Sequence, residues 1–345
     1  MWGPLHRLSP TKTTRHCRGL SADAPLPTMY RPSRFARICA AALALAALAC
    51  SPSHAHGIAG NRFFPGTLNF DDPAVADEFS ITAGTVQHPG DGGNVTDHAT
   101  TVSFARLLTP EVSIGFDTGF IRRDWEGARQ PGATGSDLIL KSRLYEDDLN
   151  ETLVAASLIY GLPQTGAKRL GASTAATIAP SLYVGQGFGS LPDAWSWLRP
   201  FGITAGVSVA VPTSKASDNL SYDPMTRQFN PVRTANVTTV HWGFALEYST
   251  LYLTDRFVPG VLPKEEPLHQ WIPLVEFAFD SPRGQRTRGT VNPGVAYIKD
   301  TWQVAAELVL PLTHGSTRGV GANLQVLFFL DDFLPALFGK PILTR

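Results

Sequence analysis

Three sets of residues in this chain could do chemistry, and each needs a different scaffold. His314 and Ser316 stand two positions apart, so on a strand they would share a face, with the imidazole placed to take the proton of a serine nucleophile. Such a pair needs a third polar group to orient the histidine, and the next strand offers only Asn323. The second set is His56, which would become an amino-terminal residue if a leader were removed after Ala55. A terminal amine and its imidazole chelate copper when a second imidazole, here His98 or His241, comes within reach. The third set is larger: Asp117, Asp137, Lys141, Arg143, His241, Glu247, Glu276, Asp280 and Glu307 all fall on the polar side of alternating segments. Such charges either line a polar pathway and tune what passes, or pair across strands and fill the interior. No zinc-ligand spacing, phosphate-cradling glycine loop or nucleophile elbow is present, and no cofactor is implied.

The elements that would position these groups are strands. In residues 301–312, TWQVAAELVLPL, the even positions Trp302, Val304, Ala306, Leu308, Leu310 and Leu312 are apolar, while the odd ones include Gln303 and Glu307. Successive strand side chains point to opposite faces, so the segment has one apolar side and one wetter side. The same period of two recurs around Val102–Phe104, Val112–Phe120, Leu138–Leu144, Val154–Tyr160, Ile178–Val184, Phe201–Val211, Val240–Tyr248, Trp271–Phe279, Val291–Tyr297 and Val320–Leu330. A weaker candidate at Phe79–Gln87 brings the number to twelve. Tight turns at 109–110, 147–150 and 300–301 alternate with longer connections at 123–135, 162–173 and 212–234, although 188–198 and 254–270 break that alternation.

Alternation suits either a soluble sandwich or a barrel in lipid. The strands are about ten residues or longer, the length a tilted strand needs to cross a bilayer. Their polar faces are rich in Gly, Ser, Ala and Thr, which fits a lumen better than a water-facing sheet. Trp125, Tyr145, Tyr160, Tyr252, Trp271 and Trp302 stand near strand ends, where a bilayer places its aromatic girdle. The expectation is an all-β antiparallel transmembrane barrel of about twelve strands over residues 77–332. An irregular segment at 56–76 precedes it and a tail at 333–345 follows.

The start of the chain reads as an export signal. From Met29, three arginines (Arg31, Arg34, Arg37) precede an apolar run from Ile38 to Ala49 and a Ser53-His54-Ala55 cleavage site. Residues 1–28 read as an unstructured extension or a start assigned too early. Residues 1–55 carry seven basic side chains against Asp23, leaving 22 basic and 28 acidic residues beyond them. That acidic balance argues against nucleic acid as a partner. Cys17, Cys39 and Cys50 all lie in this leader, so the exported chain has no disulfide; Cys50, in an ALAC sequence, is also a candidate for lipid attachment.

The series GSDLILKSRLYEDDLNETLVAASLIYGLPQTG, RPFGITAGVSVAVP and VNPGVAYIKDTWQVAAELVLPL resembles the outer-membrane family named for meta-pathway phenol degradation, over roughly residues 135–330. The resemblance implies an outer-membrane channel or transporter for a small, often hydrophobic molecule, with the lipid bilayer and the barrel-assembly machinery as partners. The chain departs from the usual barrel by continuing past Phe333 instead of ending on an aromatic residue. Two alternatives stay open: a soluble or lipid-anchored periplasmic β-protein that binds a partner, and an outer-membrane lipid hydrolase using the His314 and Ser316 pair.

Overall fold

The computed structural model describes residues 57–343 except 91–92, 126–127, 224, 227, 253–268, 314–315 and 318. The leader with Cys50, His56 and His314 lies outside the described residues. A short hairpin, β1 (Ile58–Ala59) and β2 (Arg62–Phe63), opens the described chain. Six long strands follow: β3 (Glu78–Gly90), β4 (Gly93–Thr109), β5 (Val112–Trp125), β6 (Ala128–Asp147), β7 (Thr152–Gly161) and β8 (Thr177–Gly187). Then come β9 (Phe201–Pro212) and a projecting hairpin, β10 (Ala216–Asp223) with β11 (Gln228–Ala235). The series ends with β12 (Thr239–Tyr248), β13 (His269–Pro282), β14 (Arg288–Lys299), β15 (Trp302–Pro311) and β16 (Gly321–Phe329). All but the two hairpins join, each antiparallel to its neighbours, in a closed barrel of twelve strands in which β16 pairs with β3 and β12 returns to β9.

Closure removes the sandwich alternative, because the described wall strands form one ring with no second sheet face to face with it among the described residues. The alternating pattern sorts cleanly onto the wall. On β15, Gln303, Ala305, Glu307 and Val309 are buried inside, whereas Leu308 is 49% exposed on the outside. Ile81, Phe116, Leu138, Leu158, Leu182, Val207, Leu246 and Leu324 continue that outer belt around the ring, Leu182 at 48% and Leu324 at 50% exposure. A belt of exposed large apolar residues on a wall whose inner face is polar is the inverse of a soluble fold, and hydrocarbon is the solvent that suits it.

The start of β3, the end of β16 and the tight turns at 110–111, 148–151 and 300–301 share one rim, here the near rim. Asp300 (φ 47°) and Glu151 (φ 53°) take the left-handed conformation that those tight connections demand. Above it on the outside, Phe201 packs on Tyr248 (ring centroids 5.0 Å) and Tyr297 on both Trp271 (4.6 Å) and Trp302 (5.7 Å), an aromatic girdle at the depth of an interface. Two of the aromatic residues assigned to a girdle from sequence lie elsewhere. Trp125 packs on Tyr222 and Phe229 of the β10–β11 hairpin, and Tyr252 donates its hydroxyl hydrogen to Glu151 beneath the Arg62 guanidinium.

The connection read as a loop at 123–135 is also corrected. β5 and β6 continue through it to the pair Trp125–Ala128, with a bulge where Gly119 gives way to Phe120. Both faces there meet water beyond the apolar belt, so the alternation that marks a strand in lipid disappears. β6 reaches 20 residues and β4 reaches 17 for the same reason. At the near rim the chain turns back after β16 through α1 (Leu330–Phe333) and α2 (Pro335–Phe338). Arg106 holds this tail by pairing with Asp77 and donating to the carbonyls of Leu337, Phe338 and Lys340.

Candidate functional site: an acid-lined route beside an inner segment

The interior is occupied by the chain's own residues 57–77, which thread the barrel from the near rim. Their sequence, with Phe63, Phe64, Leu68 and Phe70 among Gly, Pro, Asn and Asp, lacks any period and so forms no long strand. The wall accommodates these rings where its inward positions are glycine. A Cβ at Gly185 would press on the Phe64 ring at 3.0 Å, and one at Gly243 would meet the Phe70 ring at 2.8 Å. These two glycines of the polar faces are therefore seats for this segment. At the near rim, Ile58 and Phe63 pack with Ile272, Leu274, Ala296, Ile298, Ala305, Leu327 and Phe329 into an apolar core inside the barrel.

Polar contacts fix the rest of the segment. Glu276 accepts from the backbone N–H of Leu68 (2.9 Å) and Asn69 (3.1 Å) and from the Asn69 amide (2.7 Å). Glu307 takes a second bond from the Asn69 amide (2.5 Å) and one from Asn323 (2.8 Å). Gln303 closes a two-way contact with Gly66. Lys141 reaches Asp71 at 2.9 Å and Asp72 at 3.7 Å. Burial pushes the Asp72 carboxyl up to about 6, against the pull of Lys141. Arg62, 1% exposed, donates to the carbonyls of Arg199 (2.6 Å), Pro200 (2.9 Å) and Phe201 (3.0 Å) and lies 3.5 Å from Glu151. The anchors of the segment thus come from β6, β13, β15 and the start of β9, spread around the ring.

The nine charged positions singled out from sequence all sit on the inner side but separate into groups. Glu276, Glu307 and Lys141 hold the inner segment. Arg143 is used at the near rim, donating to Glu146 (2.6 Å) and to the carbonyl of Pro110 (2.8 Å). Glu247 is 1% exposed on β12, facing the buried segment. His241 pairs with Asp280 at 2.6 Å, directly across β12 and β13. Asp117 and Asp137 face each other across β5 and β6, and neither forms an ion pair among the described residues.

Two cavities run past these groups. A vestibule of about 700 Å³ lies toward the far rim, lined by Asp117, Asp137, His241 and many hydroxyl side chains. A second cavity of about 320 Å³ follows the inner segment from Asp117 to Glu78 and Leu327 near the other rim. Thr101, Asp117 and Ile159 belong to the lining of both, so the two spaces adjoin. The second carries Asp71, Asp72, Glu78 and Asp117 against Lys141 alone. Sequence reasoning found Asp117, Asp137 and Lys141. It missed Asp71, Asp72 and Glu78, which belong to a segment without strand period or to its junction with β3.

Of the residues considered for histidine chemistry, Ser316, His98 and His241 fall among the described ones. Ser316 donates its hydroxyl hydrogen to the carbonyl of Thr313 (2.8 Å) within a loop. His98 stands opposite Thr85 on the outer face, near Asp124, while His241 faces inward, so the two imidazoles lie on opposite sides of the wall. Among the described residues no group of three or more His, Cys, Asp or Glu could hold a metal ion.

No protein-family model matches the chain, and no curated protein matches it. Among solved structures it is similar to an outer membrane channel from Pseudomonas putida F1, with 10% identity, 77% of this chain and 99% of that chain covered, and a TM-score of 0.49. It is also similar to the KdgM porin, with 8% identity, 73% and 98% coverage and a TM-score of 0.40. The beta domain of the Bordetella autotransporter BrkA gives 11% identity, 73% and 98% coverage and a TM-score of 0.43. The likeness is one of barrel architecture.

Proposed function

We propose that this protein is a bacterial outer-membrane channel for small solutes, narrowed by its own inner segment and favouring cations over anions. The observation that carries the reading is the pair of adjoining cavities, which together run from the far vestibule along the segment to Glu78 and are lined by five carboxylates against Lys141. Buried and half-buried carboxylates along a narrow route raise the local concentration of cations and oppose anions. The outer apolar belt and girdle support a bilayer as its medium. Export with cleavage after Ala55 would start the mature chain at His56, one residue before the inner segment, and insertion would fall to the barrel-assembly machinery. The family resemblance, with its implied uptake or efflux of a small molecule, rests on the motifs quoted above.

Planar-bilayer conductance of the refolded chain from residue 56 to 345 tests the reading. Discrete openings with a reversal potential on the cation side are expected, moved toward neutrality by Asp137→Asn. An inserted, heat-modifiable barrel without conductance, or one selecting anions, would overturn it.

A further inference from the structure

The vestibule carries more information than a water-filled mouth requires. Its two carboxylates, Asp117 and Asp137, are a direct cross-strand pair on the inner face. Like charges directly opposite destabilise a sheet, so the pair is costly to keep for structure alone. Among the described residues its lining contains no lysine or arginine, and Lys141, which shares the adjoining cavity with Asp117, is taken up by Asp71 and Asp72. The lining offers instead the hydroxyls of Thr101, Thr177, Ser208 and Thr239 and further hydroxyl and amide groups.

A second observation comes from the hairpin that leans across from β9 and β12. Asn219, on β10, is 6% exposed and belongs to the vestibule lining, and its side-chain oxygen finds no donor among the described residues. Buried amide oxygens are nearly always partnered, so an orphan acceptor beside a cavity marks a place where a donor belongs. The hairpin is held over the vestibule, and not splayed away, by Trp125, Tyr222 and Phe229 (centroids 5.1 to 6.2 Å) and by the Ser173–Ser217 hydroxyl contact (3.1 Å). The oxygen of Asn219 is thereby fixed relative to the β5–β6 wall.

We infer that the vestibule is a binding site for a small organic cation rich in N–H and O–H donors, a protonated amine of amino-sugar size. The site offers acceptors in excess: two carboxylates, an unfilled amide oxygen and a ring of hydroxyls that can turn either way. An ammonium between Asp117 and Asp137 relieves their repulsion with charge-assisted hydrogen bonds, which are the strong ones. A cavity of about 700 Å³ is in the range that encloses a ligand of this size. The inference rests on the channel reading, since it makes the vestibule the selecting step of the same route, and the order of its acceptors gives the substrate class that acidity alone does not.

The test uses three probes of nearly equal size: glucosamine, glucose and glucuronate. Each is titrated against the refolded chain in detergent, by calorimetry, and then against single channels in bilayers. Glucosamine is expected to bind at least about tenfold more tightly than glucose, one charge-assisted pair at a part-exposed site, with glucuronate weakest. The double variant Asp117→Asn, Asp137→Asn is expected to remove that preference. It also removes the like-charge pair, so its barrel is expected to stay folded by heat-modifiable migration. Asn219→Leu fills the amide position and is expected to weaken glucosamine and glucose together. Equal affinity for the three probes, or a glucosamine preference that survives the double variant, overturns the inference. Calorimetric preference in a protein that gives no current would retain the site and sink the channel. Conductance without preference would do the reverse.

Discussion

Replacing Glu276 by glutamine should free the middle of the inner segment while leaving its start in place. The carboxylate accepts three bonds, from the backbone N–H groups of Leu68 and Asn69 and from the Asn69 amide. A glutamine keeps the shape but turns an NH₂ toward at least one of those donors. Hydrogen bonds to a charged acceptor contribute about 1.5–3 kcal/mol net, so losing one and weakening the others should cost about 2–4 kcal/mol of local docking. At a factor of ten per 1.4 kcal/mol, the Leu68 and Asn69 amides should exchange with solvent roughly 30- to 700-fold faster. The Phe64 amide, bonded to Gly57 at 2.7 Å and flanked by the Arg62 anchor, should not change. Hydrogen exchange read by mass spectrometry on the refolded barrel separates the two regions. Unchanged exchange at Leu68 and Asn69 would refute the reasoning. So would slower exchange, which would mean that repulsion between Glu276 and Glu307, two carboxylates sharing the Asn69 amide, outweighs the bonds lost.

Three further outcomes are expected. Arg62→Ala removes the buried counter-ion of Glu151 and a donor to three carbonyls, a change that typically costs about 3–5 kcal/mol, and should lower the temperature at which the barrel loses its heat-modifiable migration. Arg62→Lys should recover only part of this, because an ammonium cannot fork across the carbonyls of Arg199, Pro200 and Phe201. Asp72 has a carboxyl pushed up to about 6 in the folded chain, from 3.8 when unperturbed, so its contribution to docking is fully present below about 4 and is lost as pH rises through about 6. Single-channel current should accordingly be quieter at pH 5 than at pH 7.5, and Asp72→Asn should be quiet at both; a current noisier at pH 5 would reverse the sign. Finally, Arg106→Ala removes the side chain that gathers Asp77 and the carbonyls of Leu337, Phe338 and Lys340, and chymotrypsin should then cut after Phe338 far faster with the barrel intact.

The strands were legible because lipid makes a stringent reader of sequence. Every outward position at membrane depth must be apolar, as Ile178, Leu182 and Val184 are on β8, and the inward neighbours Ala179, Ser181 and Tyr183 can be almost anything. Even the weak candidate at residues 79–87 held, because Phe79, Ile81 and Ala83 keep the outer register opposite Phe328, Val326 and Leu324. The rule ends where the bilayer ends. Arg122, Arg123 and Asp124 are strand residues, but outside the belt neither face is constrained, and periodicity could not show them as such.

The interior obeys a weaker rule. A lumen-facing glycine, serine or glutamate reads the same whether it meets water or another piece of chain. The sequence did carry the missing half, in the form of a segment that is too aromatic for a linker. Residues 61–72, NRFFPGTLNFDD, bring three phenylalanines between the leader and the first wall strand, with no alternation to put them in it. Set against inward glycines at 185 and 243, they are knobs in search of holes, and the structure seats Phe64 and Phe70 there. The charges then follow. Glu276 and Glu307 on neighbouring polar faces of a strand ladder look like a pathway only while the interior is assumed empty; once Leu68 and Asn69 arrive with unpaired N–H groups, the same carboxylates become their acceptors. What the segment leaves open are the cavities along Asp117, Asp137 and Lys141, and the inward placing of those three residues was readable from the strand pattern alone.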